Sequence, residues 1–155
     1  MSHIKFENRS YWYQKNRIPK KDVRKVLSHL FKDKKFHVKQ YSIVLFTDAE
    51  LKELNRKFLN HNYHTDIITF DYSEEANTIN GEAYLSYETI SKNAATFGCS
   101  ILQEFTRVAI HGALHLCGYK DKGSNDQKIM RAEEEKYLYL FSSYQLKTQA
   151  LPHAV

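Results

Sequence analysis

Hydrophobic positions along the chain follow two different spacings, and each spacing predicts a different kind of element. After Pro19, apolar residues recur three and four positions apart, which predicts an amphipathic helix with proline at its start. Alternating and then continuous apolar residues over 36–48 predict a strand, and the segment "HIKFEN" can open the chain with a short strand. Thr47 and Glu50 match a capping box for a second helix, whose apolar stripe includes Phe58.

The second half of the chain contains two further strands followed by helices. In order, the pattern predicts a strand over 67–72, a turn closing at Gly81, a strand over 82–87, and helices over about 87–97, over about 102–117 and from a Ser124–Gln127 capping box onward. Strands come first and helices after, which is typical of an α+β protein. We therefore predict one small mixed sheet of about four strands packed with about five helices.

Length and composition bound the class of protein. A chain of 155 residues can bury about two-thirds of its unfolded surface as one domain, so we predict a single domain over 1–155. Its core is expected at about 3–147, with a frayed tail at 148–155. A content of 42% hydrophobic and 26% charged residues excludes a disordered chain. No apolar run approaches the roughly 20 residues of a membrane span, and the first residues lack the apolar segment of a secretory signal. We therefore expect a cytoplasmic protein with no membrane partner.

Positive charge is concentrated near the start of the chain, whose overall net charge is +5. The early basic residues are Lys15, Arg17, Lys20, Lys21, Arg24, Lys25, Lys32, Lys34, Lys35 and Lys39. A basic surface attracts polyanions such as nucleic acids. A solvated helix face produces the same pattern, so charge alone leaves both interpretations open.

The segment "IHGALHLCGYKDK" carries the candidate chemistry. His111 and His115 lie one helical turn apart, so their imidazoles nearly eclipse and can bind one metal ion. Gly118 can end the helix in a left-handed turn, which would bring Asp121 back toward the same ion. Three such ligands leave a fourth position for water, as in a catalytic zinc site. The alternatives are a histidine pair satisfied by other partners and an Asp121 that only stabilises its own turn.

Neighbouring residues narrow the chemistry of this segment. Gly112 stands where metalloproteases of the H-E-x-x-H type carry their general base, so the segment lacks that motif, and a peptidase would need a carboxylate base from outside the helix. Cys117 points about 200° away from His115 on a helix, and both it and Cys99 are interpreted as small buried hydrophobic thiols. Arg107 lies one turn before His111, where it can meet a substrate phosphate or pair with an acid such as Glu104.

These residues resemble the YbeY family of bacterial endoribonucleases, which act in ribosomal RNA maturation. The family motif HGxLHLxGYDH is matched by "HGALHLCGYKD", and the family's "LNxxYRxxDxPTDVLSFP" is echoed by "LNRKFLNHNYHTDIITFD". The segment "GEAYLS" echoes the following family strand. The resemblance extends over about 47–140 and implies one small α+β domain that binds one zinc ion per chain through three side chains.

The resemblance also identifies where this chain departs from the family. His111 and His115 match two histidine ligands, and Asp121 falls where the family usually has a third histidine. Lys120 replaces an acid, Leu59 replaces an arginine thought to meet RNA, and His64 replaces a proline. An aspartate ligand adds negative charge, which should make bound water less acidic and can change the metal preference. Thr65 and Asp66 match the family's "TD", and a turn before a strand is the alternative interpretation of that pair.

The leading hypothesis is therefore a metal-dependent endoribonuclease specific for single strands. The resemblance implies a role in ribosomal RNA maturation, at the 3′ end of 16S RNA, and in ribosome assembly with the small ribosomal subunit. Arg107, Lys120 and Lys122 are the candidate substrate contacts because they are close to the motif in sequence. No residue is assigned as general base. The alternatives are another zinc hydrolase, such as a peptidase or amidase, and a non-catalytic RNA-binding assembly factor with a structural metal.

Overall fold

One four-stranded sheet forms the centre of the molecule. The computed structural model describes residues 3–59 and 65–150. The strands are β1 (Ile4–Glu7), β2 (His37–Phe46), β3 (Ile67–Asp71) and β4 (Thr78–Ser86), arranged in the order β1-β2-β4-β3. β2 pairs in parallel with both β1 and β4, whereas β3 is antiparallel to β4. The sheet is therefore mixed, and the predicted α+β class with four strands is confirmed.

In the described part of the chain six helices accompany the sheet, one more than predicted. They are α1 (Ser10–Lys15), α2 (Lys20–Asp33), α3 (Asp48–Leu59), α4 (Tyr87–Phe97), α5 (Ile101–Leu116) and α6 (Ser124–Ala150). The additional helix, α1, is only 6 residues long; two of its three aromatic residues, Trp12 and Tyr13, are buried, and the third, Tyr11, is exposed. The rings of Trp12 and Tyr13 both contact Phe105 of α5. Tertiary packing rather than local periodicity holds this helix, because one so short has little intrinsic stability.

The structure corrects two predictions, the turn closing at Gly81 and the capping box at Ser124 and Gln127. β4 begins at Thr78, so Gly81 lies inside a strand and does not close a turn. A Cβ at Gly81 would lie 2.6 Å from the carbonyl oxygen of Phe70 on β3, which explains the glycine there. α6 begins at Ser124, and the backbone N–H of Gln127 donates to the Gly123 carbonyl, so Ser124 lies in the first turn.

Several predicted helix ends are close to those observed. The capping box of Thr47 and Glu50 is present at the start of α3, with both reciprocal hydrogen bonds formed. α5 begins at Ile101 behind a second capping box, made by Ser100 and Gln103. The predicted frayed tail overlaps α6, which continues to Ala150, and its last five residues lie outside the described part of the chain.

Helix α5 is the element that positions the site. It packs on β3 and β4, while α2 packs on β2 and α6 covers both helices. Ten of its 16 residues are buried, so two polar rings on this helix need partners. Gly112 lies where α5 is closest to the sheet: a Cβ there would lie 2.7 Å from the Tyr41 hydroxyl and 3.2 Å from Cβ of Ala83. Within the described residues, no helix is both long enough and apolar enough to span a membrane.

We expect Gly112→Ala to lower the free energy of unfolding by up to about 2 kcal/mol. Overpacking a filled core costs about 1–3 kcal/mol, and the better helix propensity of alanine offsets about 1 kcal/mol of that cost. The crowding atom is the Tyr41 hydroxyl, which is held by a 2.8 Å hydrogen bond to the Ala109 carbonyl. The effect is measured by urea unfolding of the wild type, Gly112→Ala, Tyr41→Phe and the double variant, which together form a double-mutant cycle. An alanine that is equally costly with and without the hydroxyl would contradict this explanation.

Candidate metal centre

Three side chains converge at the end of α5. The Nε2 atoms of His111 and His115 are 2.9 Å apart, and Oδ2 of Asp121 lies 3.2 Å and 3.4 Å from them respectively. Gly118, with φ of 98°, turns the chain back after the helix, as predicted, and so brings Asp121 to the imidazoles. The structure therefore brings together all three predicted metal ligands.

The imidazole hydrogen bonds favour a cation between the three atoms. Nδ1 of His111 lies 2.5 Å from a Glu134 oxygen, and Nδ1 of His115 lies 2.9 Å from the Tyr119 carbonyl. Both acceptors favour a proton on Nδ1, which leaves a lone pair on each Nε2. Two such lone pairs and a carboxylate oxygen repel one another unless a proton or a metal ion lies among them.

The spacing of these atoms fits a small divalent ion. Tetrahedral zinc ligands at about 2.0–2.1 Å from the ion lie about 3.3–3.4 Å from one another. The two distances to Asp121 match this value, and the 2.9 Å between the imidazoles requires them to open by less than an ångström. Two imidazole nitrogens and one carboxylate oxygen are a donor set that zinc accepts, so the residues fit the group.

A buried chain of charged groups supports His111 from behind. The Arg107 guanidinium donates to both oxygens of Glu104, at 2.9 Å and 2.7 Å, and to Glu134 at 3.1 Å. Glu104 is 2% exposed and Glu134 6%, so neither carboxylate is solvated and both depend on these bonds. Glu134 therefore holds the imidazole with one oxygen and the guanidinium with the other.

Glu134 was not among the site residues predicted from the sequence. It lies on α6, 23 residues from His111, in the middle of a run of three glutamates. Glu134 is buried, whereas Glu133 is partly exposed and Glu135 is exposed. The sequence contains one indication of its position: Tyr137 and Phe141 follow Glu134 at three and seven residues, which places all three on one face of the helix. Only the packing of α6 on α5 shows that this carboxylate reaches the metal helix.

The predicted substrate contacts separate in the structure. A cleft of about 580 Å³ opens beside the three ligands, and its walls include Asn55, Asp66, Arg107 and Lys122. Arg107 faces this cleft with its charge already shared between carboxylates, including Asp66 at 3.9 Å, as the pairing alternative proposed. Lys120 is exposed and lines a separate depression with Tyr119 and Asp126.

The remaining sequence features near the cleft are only partly described. Leu59 is the last residue of α3, and His64 lies outside the described residues. Thr65 accepts a backbone hydrogen bond from Ile67 and donates to its carbonyl, so it stabilises the entry to β3. Asp66, the second residue of the pair, is on the cleft wall. The turn interpretation therefore holds for Thr65, while Asp66 faces the site.

Gly112 leaves no room for a peptidase base at that position. Atoms of Tyr41, Ile67 and Ala83 lie 2.7–3.2 Å from where its Cβ would be. A glutamate side chain there would have to enter the packed interface between α5 and the sheet. This excludes the H-E-x-x-H arrangement from the fold as well as from the sequence.

Burial and charge act in opposite directions on the site's titratable groups. Burial lowers the pKa of His111, but the Glu134 carboxylate on Nδ1, together with Asp121 and Asp66, raises that pKa above its ordinary value. Burial raises the pKa of the Cys117 thiol to about 12, so this cysteine is protonated and unreactive at neutral pH. Both cysteines are free and partly exposed, a little less buried than predicted.

Fold and site together define a class of small α+β proteins with a candidate three-ligand metal centre at the end of a buried helix. The sequence model of the family described as Endoribonuclease YbeY matches residues 4–142, and the chain belongs to this family. The solution structure of TM1509 from Thermotoga maritima has a similar fold, with a TM-score of 0.64, 26% identity, and coverage of 99% of this chain and 97% of that one.

Two curated relatives show how close the similarity is. Endoribonuclease YbeY of Cytophaga hutchinsonii is 38% identical over 119 residues, which cover 77% of this chain and 83% of that protein. Endoribonuclease YbeY of Parabacteroides distasonis is 44% identical over 97 residues, which cover 63% and 68% respectively. The resemblance inferred from three short motifs is therefore confirmed over most of the chain.

We expect Glu134→Gln to lower the pKa of His111 in chelator-treated protein, because burial then acts without its main opponent. A folded-state pKa above the unfolded value, about 6.5 for histidine, stabilises the fold below that unfolded pKa. The contribution is lost as pH rises through the folded-state pKa. The wild-type free energy of unfolding should therefore fall with rising pH over this window, and less steeply in Glu134→Gln.

Ring-proton NMR titration measures the pKa, and urea unfolding at several pH values measures the stability. Glu135→Gln, on the exposed face of the same helix, is the matched control and should behave like the wild type. An unchanged His111 titration in Glu134→Gln would show that the carboxylate does not set this pKa.

Proposed function

We propose that this chain is a metal-dependent endoribonuclease that cuts single-stranded RNA. The observation that carries the proposal is the convergence of His111, His115 and Asp121 at the head of an open cleft, in a chain whose relatives are named endoribonucleases. We further propose that its substrate is ribosomal RNA, near the 3′ end of 16S RNA, and that it works in the cytoplasm with the small ribosomal subunit.

The three ligands would hold one divalent ion, which we propose to be zinc. A divalent ion supplies positive charge to a phosphodiester's anionic transition state and favours deprotonation of a nearby water. Asp121 would lower the net charge of the occupied site relative to a third histidine. The carboxylate therefore tempers this effect on water, and it also makes harder ions such as manganese better competitors.

Other side chains of the cleft would bind and orient the RNA. Lys122 is the exposed cation at the cleft wall, so we propose that it contacts a phosphate. Arg107 has a different role in this proposal, because Glu104 and Glu134 already neutralise its charge. It would keep Glu134 directed at His111, and thereby keep the Nε2 lone pair directed at the ion.

We expect His115→Ala to lower cleavage of a labelled single-stranded RNA by about a hundredfold or more, because an ion contributes several kcal/mol to such a transition state. His29→Ala is the matched control: His29 is an exposed histidine on α2 that pairs with Asp33. Both variants and the wild type are purified identically, so a contaminating ribonuclease would act in all three.

Chelator should abolish the activity of the wild type and of His29→Ala, and added zinc should restore it. Equal cleavage by all three proteins, or cleavage by none, would overturn the nuclease proposal. Tight RNA binding without turnover at saturating metal would instead identify a non-catalytic assembly factor.

We expect Glu134→Ala to weaken zinc binding by about 10–100-fold, the usual effect of losing a hydrogen-bond partner of a metal-bound histidine. Competition with a fluorescent zinc chelator measures this affinity without reference to RNA cleavage. Glu135→Ala is the control. Glu134→Gln should recover part of the affinity, because its amide oxygen can still accept from Nδ1. Wild-type affinity in Glu134→Ala would show that the carboxylate only packs.

A further inference from the structure

Positive charge is divided unevenly between two parts of this molecule. Residues 9–39 contain eleven lysines and arginines and only two acids, Asp22 and Asp33, which gives this segment a formal charge of +9. The whole chain carries +5, so the remainder, including the cleft, carries −4. A basic segment this pronounced is not needed for the metal centre, whose residues all lie beyond it.

The structure concentrates part of this charge on one flank of α2. Lys21, Lys25 and Lys32 lie at 100°, 140° and 120° around the helix, counting from Lys20 at about 100° per residue, and all three are exposed. Lys35, just after the helix, is also exposed. These four lysines form the basic flank of α2.

Both acids of the segment are engaged away from the basic flank. Asp33 accepts a hydrogen bond from the Tyr137 hydroxyl, and Asp22 accepts one from the Gln145 side chain, both on α6. The apolar residues of α2 face the core on the other side. No carboxylate among the described residues is paired with a lysine of the basic flank within 4.0 Å, so its charge is directed to solvent.

The backbone supplies a second observation. Five described non-glycine residues have positive φ, and three of them, Arg9, Arg17 and Lys35, are cations of this segment. Lys35, with φ of 65°, occupies the position after a helix end where glycine is usual because it adopts this conformation without strain. A lysine there is less favourable for folding than glycine, and it places an exposed positive charge at the end of the basic flank.

The basic flank and the cleft lie toward opposite edges of the sheet. α2 packs on β2 near one edge, while the metal centre lies beside β3, the other edge strand. Arg107 and Lys122 are outnumbered near the cleft by Glu104, Glu134, Asp66 and Asp121. The cleft is thus a poor electrostatic attractor for a polyanion, whereas the basic flank is a good one.

We propose that the basic flank binds the phosphate backbone of an RNA segment outside the cleft. This inference rests on the proposed function, since it gives the RNA nuclease a second contact that holds a long substrate. From Lys21 to Lys35 the flank extends about 20 Å at 1.5 Å per residue. Nucleic-acid backbone carries one charge per about 3.4 Å of each strand, so several phosphates fit along this length.

The test compares RNA binding in two triple variants, both made in a His115→Ala background so that RNA is not cleaved. The first removes Lys21, Lys32 and Lys35 by glutamine substitution, and spares Lys25 because its ammonium lies 4.2 Å from the centre of the Tyr144 ring. The second removes three exposed lysines that are dispersed over α3, α4 and α6: Lys52, Lys92 and Lys128. Net charge changes equally in both.

Affinity for a 30-nucleotide labelled RNA is measured by fluorescence anisotropy at several salt concentrations. The flank variant should bind at least about tenfold more weakly at low salt. The slope of log affinity against log salt should fall by about 2, or about 0.7 per lost phosphate contact. The dispersed variant should change affinity less than twofold. If RNA binding weakens equally in both variants, or in neither, the proposal that the basic flank binds RNA is wrong. The separate cleavage test with His115→Ala is unaffected by that result.

A single substitution separates the charge of Lys35 from its effect on folding. Lys35→Gly should raise the melting temperature, because glycine accepts a φ of 65° more readily, and should lower the salt slope by about 0.7. Asn77→Gly is the control: Asn77 also has a positive φ, of 55°, but carries no charge, so its replacement should leave the slope unchanged. A more stable Lys35→Gly protein with an unchanged slope would show that this lysine does not contact RNA.

Discussion

The close packing of α5 on the sheet determines the direction of both histidines in the candidate site. At Gly112 the helix is so near β4 and Tyr41 that one added methyl group would contact the Tyr41 hydroxyl at 2.7 Å. That hydroxyl also binds the Ala109 carbonyl, so helix and sheet are held together at the turn that carries His111. Because interiors are close-packed, the helix can neither rotate nor shift without disturbing this interface. The imidazoles of His111 and His115, which lie about 100° and 60° around the helix from Gly112, therefore have fixed positions relative to β3 and the cleft.

A second constraint comes from α6, which fixes the orientation of the His111 ring. Glu134 accepts from Nδ1 with one oxygen and from Arg107 with the other, and Glu104 holds the far side of the guanidinium. Each carboxylate is almost fully buried, so removal of any member leaves its partner without compensation. The same arginine was a candidate for phosphate binding from its sequence position. Its bonds explain why a charge beside a cleft is not automatically available to a substrate.

The sequence was sufficient where the decisive interactions are local. The pair of histidines one turn apart, the glycine that ends α5 and the capping box at Thr47 and Glu50 are all short-range patterns, and each was located correctly. Glu134 and helix α1 were missed because their positions depend on contacts between distant segments. The first residues of β4, up to Gly81, were mistaken for a turn, since a glycine required by close strand packing has the same appearance in sequence as one required by a turn.

Electrostatics connects the metal centre with the rest of the surface. Near the cleft, four carboxylates face two cations, so a polyanion approaching the metal-free protein would meet net negative charge. A divalent ion would cancel this excess of negative charge. RNA binding at the cleft would then depend on the bound ion, as the proposed cleavage reaction does. In the proposed metal site, Asp121 in place of a third histidine would strengthen this dependence by one further charge. A separate basic surface on α2 is consistent with that arrangement for two reasons. It can attract RNA whether or not the ion is bound. Distance and solvent also screen its positive charge, so it does not weaken cation binding at the three ligands.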